Sequence, residues 1–121
     1  MQTILLSIGS NIYSKNNIDK ARRMLTHCFP DISFTESVMS EPYDEKYLFP
    51  FRNILGVFQS ELSPEEIISK LKLVEHAMGR SPKDKALGKV IIDIDLIKYG
   101  DEVLRPQDFE RDYVQHLLQT L

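Results

Sequence analysis

One cysteine, Cys28, among 121 residues leaves no partner for an internal disulfide, which fits a reducing compartment. No apolar run approaches the roughly 20 residues that a membrane span requires. The start "MQTILLSIGSN" lacks the basic segment and small-residue cleavage site of a secretory leader. The expectation is a cytoplasmic protein with no membrane partner. Cationic excess is missing too: 15 Lys and Arg stand against 18 Asp and Glu, for a formal net charge of −3. Any anion site must therefore be a local basic patch, and nucleic acid is not an expected partner. There is no internal repeat, heptad array or low-complexity tract, and no Walker loop, dinucleotide fingerprint or Ser-His-Asp arrangement. His27, His76 and His116 show no metal-ligand spacing. What remains, at 42% hydrophobic and 27% charged residues, is an ordinary globular composition, read as one domain over residues 1–121.

Periodicity supplies the elements. "TILLSIG" alternates Ile4, Leu6 and Ile8 on one face and stops at Gly9, a strand. Ile18, Ala21, Leu25 and Cys28 recur at helical spacing before Pro30. Residues 31–39 read as a second strand, 40–50 as a loop with prolines at 42 and 50, and 51–62 as a third strand. "SPEEIISKLKLVEHAMG" is the clearest helix: Ser63 and Glu66 form a capping box, Pro64 takes the first helical position, and Gly79 ends it. Residues 80–89 read as a polar connector. A strand carrying Val90, Ile92, Ile94 and Leu96 follows, then a turn at Gly100-Asp101 and a final helix from about Gln107. The order β-α-β-β-α-β plus a helix is α+β, a ferredoxin-like antiparallel sheet with two helices on one face.

Asp93 and Asp95 then carry the most information. They alternate with the apolar residues of the last strand, so both point to the sheet face the helices leave uncovered, with Cβ atoms roughly 7 Å apart. They floor a cleft that would welcome a cation, or simply face solvent. Directly upstream, Arg80, Lys83, Lys85 and Lys89 share one connector with Gly88; acids beside a basic loop suit a magnesium-bound polyphosphate. Asn53 could read a heterocycle's edge or cap a loop. Tyr43, Tyr47, Phe49 and Phe51 could stack on a flat ligand or pin their loop to the core.

Taken in order, "SIGSN", "SEPY", "FRN", "SPEEIISKLKLVEHAMGR" and "LGKVIIDIDLIKYGDEVL" resemble the 6-hydroxymethyl-7,8-dihydropterin pyrophosphokinases of folate biosynthesis. The resemblance runs from residue 1 to about 104 and resumes at "ERDYV". It implies a transfer of pyrophosphate from ATP to the pterin hydroxymethyl group, giving AMP, with two magnesium ions held by Asp93 and Asp95 as the catalytic pair. It also implies a pterin pocket of Ser40, Pro42, Tyr43, Phe51, Asn53 and Tyr113, with Tyr43 and Tyr113 sandwiching the ring. Glu75, Arg80, Lys83, Lys89 and Arg111 would attend the nucleotide. Small-molecule substrates and a monomer or weak dimer are expected. The family's loop before the aspartates reads Trp-Gly-Pro-Arg-Thr, whereas this chain reads Leu87-Gly88-Lys89-Val90-Ile91 and has no tryptophan. Most of the family's segment beyond Leu104 is also missing. A non-catalytic pterin-binding relative is therefore the alternative, and a single-stranded nucleic-acid module is disfavoured by carboxylates on the central face.

Overall fold

The alternating apolar residues of the N-terminal segment form β1 (Gln2–Ser10), the central strand of the sheet in the computed structural model, which describes residues 1–121. Along the chain follow α1 (Ser14–Cys28), β2 (Ser33–Phe34), β3 (Val38–Ser40), β4 (Phe51–Ser60), α2 (Pro64–Ala77) and α3 (Pro82–Ala86). Then come β5 (Asp93–Tyr99), β6 (Glu102–Val103), α4 (Pro106–Phe109) and α5 (Asp112–Leu118). The antiparallel sheet runs β2-β4-β1-β5-β6, with β3 also paired to β4. This is the expected ferredoxin-like order with a two-residue edge strand added.

One face of β1, β4 and β5 (Ile4, Leu6, Ile8, Ile54, Ile94, Leu96) is buried beneath α1 and α2, which contribute Ile18, Ala21 and Leu25, and Ile67, Leu71 and Val74. The α2 capping box is formed as expected: Ser63 Oγ accepts from the Glu66 amide at 3.2 Å, and Glu66 Oε1 accepts from the Ser63 amide at 3.1 Å.

The other face differs from expectation. It is not open throughout, because α5 lays Val114 and Leu117 over Leu5, Leu55 and Ile97 in a second core. Only the end bearing Ser7, Gly9, Asn53, Asp93 and Asp95 remains accessible. The boundary lies on β5 itself, between Asp95 and Ile97.

Four local readings are corrected. The strand expected over 31–39 is two short strands, because Thr35 turns its hydroxyl onto the Leu55 amide at 3.0 Å and breaks the ladder. The connector holds a short helix, α3, whose first turn Ser81 caps through the Asp84 amide. The final helix is split at Glu110–Arg111 into α4 and α5. Val90 and Ile92 also lie before β5, not within it. The Asn11 side chain, itself buried, takes the place of a strand partner there: its amide donates to the Gly88 carbonyl at 2.9 Å and its oxygen accepts from the Val90 amide at 2.6 Å.

Candidate active site

Register places the floor. Gly9 of β1 faces Asn53 on β4 and Asp93 on β5, and Ser7 faces Leu55 and Asp95. Side chains on this face therefore converge across the central strand. Gly9 keeps the middle low: a Cβ there would stand 3.1 Å from Asn53 Oδ1.

The two aspartates are not equivalent. Asp93 accepts from Arg80 at 2.9 Å, and the same Arg80 nitrogen bonds Glu75 at 2.5 Å. Glu75 in turn accepts from the Ile94 amide at 2.8 Å, which fixes the end of α2 against β5. Burial pushes the Glu75 carboxyl above the ordinary range. The nearest cation to Asp95 is Arg105, at 3.8 Å, which is too long for a hydrogen bond. Burial, followed by the charge of Asp93, pushes Asp95 up to about 7. One carboxylate is thus paired with a guanidinium, and the other has no cation within hydrogen-bond reach. No group of three or more His, Cys, Asp or Glu is placed so that it could hold a metal ion. The donor set is two carboxylates, which suits magnesium, an ion that keeps several waters and takes its remaining ligands from substrate phosphates.

Two cavities meet over this floor. The larger, about 730 Å³, has an apolar wall of Ile68, Leu71 and Leu104 with Lys72 and Lys85 at its rim. The smaller, about 50 Å³, is lined by Ser7, Ser40, Asn53, Asp108, Arg111 and Tyr113. Tyr43, Phe51, Asp93, Asp95 and Arg105 border both. In the smaller cavity Asn53 Nδ2 donates to Ser40 Oγ at 2.8 Å and to the Val38 carbonyl at 3.3 Å. No hydrogen bond from the chain reaches Asn53 Oδ1.

Of the residues expected to surround a ring, Ser40, Tyr43, Phe51, Asn53 and Tyr113 come together, while Pro42 lines neither cavity. The Arg111 guanidinium lies over the Tyr43 ring at 4.0 Å, and the Tyr113 hydroxyl is 3.2 Å from Ser7 Oγ. Tyr43 also packs with Phe51 and Tyr47, whose hydroxyl it meets at 3.0 Å. Burial and the Tyr47 contact raise the Tyr43 phenol, and burial raises that of Tyr113. Among the residues expected at a nucleotide, Glu75 and Arg80 line the larger cavity but are engaged with each other and with β5; Arg111 lines the smaller one. Lys83 and Lys89 line neither, because α3 turns the connector so that Lys85 faces inward.

Lys72, Arg105 and Asp108 were not singled out from the sequence. Asp108 accepts from Arg105 Nε at 2.6 Å and from Arg111 Nε at 3.0 Å, tying two guanidiniums together. The available signal was the run Arg105-Pro106-Gln107-Asp108, a basic residue at a proline-led helix start with an acid three positions on.

Comparisons with known proteins bear on this arrangement. A protein from Aquifex aeolicus named 2-amino-4-hydroxy-6-hydroxymethyldihydropteridine pyrophosphokinase is 31% identical over 106 residues, covering 87% of this chain and 66% of that protein. One of the same name from Porphyromonas gingivalis is 28% identical over 130 residues, covering 95% and 87%. A folate synthesis bifunctional protein from Chlamydia trachomatis is 26% identical over 135 residues, covering 98% of this chain. The chain spans only 21% to 30% of the length of such chlamydial relatives. A de novo designed protein with ferredoxin fold aligns with 81% of the chain at 11% identity and a TM-score of 0.38, too distant to carry an argument. The model of one family matches residues 5–121. The chain belongs to the 7,8-dihydro-6-hydroxymethylpterin-pyrophosphokinase family.

Proposed function

We propose that this chain transfers the terminal pyrophosphate of ATP to the hydroxymethyl oxygen of 6-hydroxymethyl-7,8-dihydropterin, releasing AMP. The observation that carries the reading is the meeting of two unlike cavities over Asp93 and Asp95. The larger has the apolar wall and lysine rim that suit a nucleotide base and its phosphates. The smaller offers an amide edge at Asn53 and aromatic faces at Tyr43 and Tyr113. Once Arg111 moves off Tyr43 and widens this space, an acceptor seated there would present its hydroxymethyl group to the aspartates.

The residues divide the work by position. Ser40 and the Val38 carbonyl hold the Asn53 amide, so its free Oδ1 is oriented to accept from a ring amino group. The ring would displace Arg111 from Tyr43, exchanging one face-on contact for another. Lys72 and Lys85 neutralise phosphate charge. Glu75 keeps Arg80 against Asp93 and thereby sets the height of the floor. Asp93 and Asp95 would hold two magnesium ions, which when bound draw charge off the phosphoryl oxygens. No side chain is placed as a general base. The same reading treats residues 1–121 as one cytosolic unit, monomer or weak dimer, acting on small molecules only; the single half-buried cysteine and the net charge of −3 support it.

The test is direct: incubate the chain with ATP, magnesium and the hydroxymethyl dihydropterin, and measure AMP and pterin diphosphate. Both should appear in equal amounts. Pterin binding without AMP would replace this reading with that of a non-catalytic binding protein.

A further inference from the structure

Resting on that reading, we infer that Arg105 contacts the phosphoryl group in flight and that Asp108 positions it. Arg105 is the one cation that borders both cavities. The other arginines near the floor are committed elsewhere. Arg80 is flanked by Glu75 and Asp93, and Arg111 is tied to Asp108 and borders only the smaller cavity. Lys72 and Lys85 reach only the larger cavity, and Lys89 reaches neither. Arg105 is held differently. Its Nε is fixed by Asp108 at 2.6 Å, while its Nη1 stops 3.8 Å short of Asp95, outside hydrogen-bond range. Half of the side chain is exposed, so the outer nitrogens are free to take phosphate oxygens. A guanidinium tethered at one edge and open at the other, above a carboxylate floor, suits a planar group that swells as bonds form and break.

In the step, the hydroxymethyl oxygen forms a bond to the β-phosphorus of ATP. The bond from that phosphorus to the oxygen bridging it to the α-phosphate breaks, and that oxygen leaves with AMP. The hydroxyl proton passes to water. The equatorial oxygens of the β-phosphoryl group gather charge between the cavities, where Arg105 is placed. The contact strengthens as the group moves away from the nucleotide, so it favours the transition state over bound ATP.

Steady-state kinetics, with AMP as the readout, and equilibrium binding of a non-hydrolysable ATP analogue test this on the parent, Arg105→Gln, Arg105→Lys and Asp108→Asn. Arg105→Gln should lower kcat about 100-fold or more, as loss of a preorganised charge donor does, with analogue affinity changed less than about 3-fold. Arg105→Lys should recover less than about a tenth of the loss, because an ammonium cannot reproduce a tethered fork. Millimolar guanidinium should restore activity to Arg105→Gln but not to Asp108→Asn, which retains its arginine and should show a smaller kcat defect. Unchanged thermal midpoints separate these effects from unfolding. If the parent forms AMP and Arg105→Gln stays within about 3-fold in kcat, the inference is overturned while the functional reading stands. Equal losses in kcat/KM and analogue affinity would overturn it as well, by making Arg105 a ground-state contact. A parent that forms no AMP overturns both.

Discussion

Replacing Asp95 by asparagine isolates the charge that the protein leaves uncompensated, and its effect on stability should depend on pH in one direction only. Burial and Asp93 move the Asp95 carboxyl from the ordinary 3.8 to about 7. A folded-state value above the unfolded one means that the folded chain holds the proton more tightly. Stability from this group is therefore fully present below about pH 4 and is lost as pH rises to about 7. The full difference corresponds to about 4 kcal/mol. With about a quarter of the side chain exposed to screening solvent, an observable effect of about 2 kcal/mol is the better expectation. Asp95→Asn keeps the shape and removes the charge. In EDTA it should match the parent near pH 4 and exceed it by about 2 kcal/mol at pH 8, or roughly 6–10 °C in thermal midpoint for a chain of this size. Urea unfolding followed by circular dichroism across pH 4–8 is the assay. Millimolar magnesium at pH 8 should restore much of the parent's deficit and leave the variant unmoved. A stability difference that stays constant across the range, or a variant less stable than the parent at pH 8, would refute the reasoning.

Other outcomes follow from the same geometry. Asn53→Ala should weaken pterin binding by about 1–3 kcal/mol while sparing the ATP analogue, as titration calorimetry would show; equal loss of both would assign Asn53 to the fold. Lys85→Gln should weaken analogue binding more than Lys89→Gln, and the parent's affinity should fall steeply with salt because rim lysines are screened over roughly 8 Å. A flat salt response with both variants unchanged would make the connector a bystander. Leu117→Ala should cost about 2–5 kcal/mol in denaturant unfolding, since it opens the second core under α5; a loss below about 1 kcal/mol would show that α5 contributes little packing. Gly88→Ala should destabilise by roughly 1–3 kcal/mol, because its φ of +77° is left-handed and a Cβ would collide with the Lys46 carbonyl. Faster amide exchange over residues 43–48 should accompany it.

The fold was legible where side-chain period and burial agree. The alternation of Ile4, Leu6 and Ile8, and the stripe of Ile67, Leu71 and Val74, each bury the face that their spacing indicates. The placement of Asp93 and Asp95 on the opposite face follows from the same rule and needed no long-range information. What escaped depends on contacts distant in sequence. The break at Thr35 is made by a hydroxyl reaching Leu55, and the early end of the last strand's pairing is made by Asn11, 79 residues from Val90. The covering of Leu5, Leu55 and Ile97 was hidden because Val114 and Leu117 cannot name their partners from spacing alone. Arg105 was passed over for a similar reason. Its environment is set by Asp108 and Asp95, and only the turn after β6 brings the three together.

The Asn11 carboxamide has a mechanical consequence. It grips the connector at Gly88 and Val90, and the Gly88 carbonyl that it holds also accepts from the Leu48 amide at 3.2 Å. Two loops therefore hang from one oxygen. Upstream of this point α3 is an arm with a fixed pivot, and Lys85, three residues away, can sweep no more than roughly 10 Å from it. On the far side hangs the loop that carries Tyr43 and Tyr47. A disturbance at the pivot would reach the basic rim and the aromatic wall together, so neither can be retuned through that point without the other.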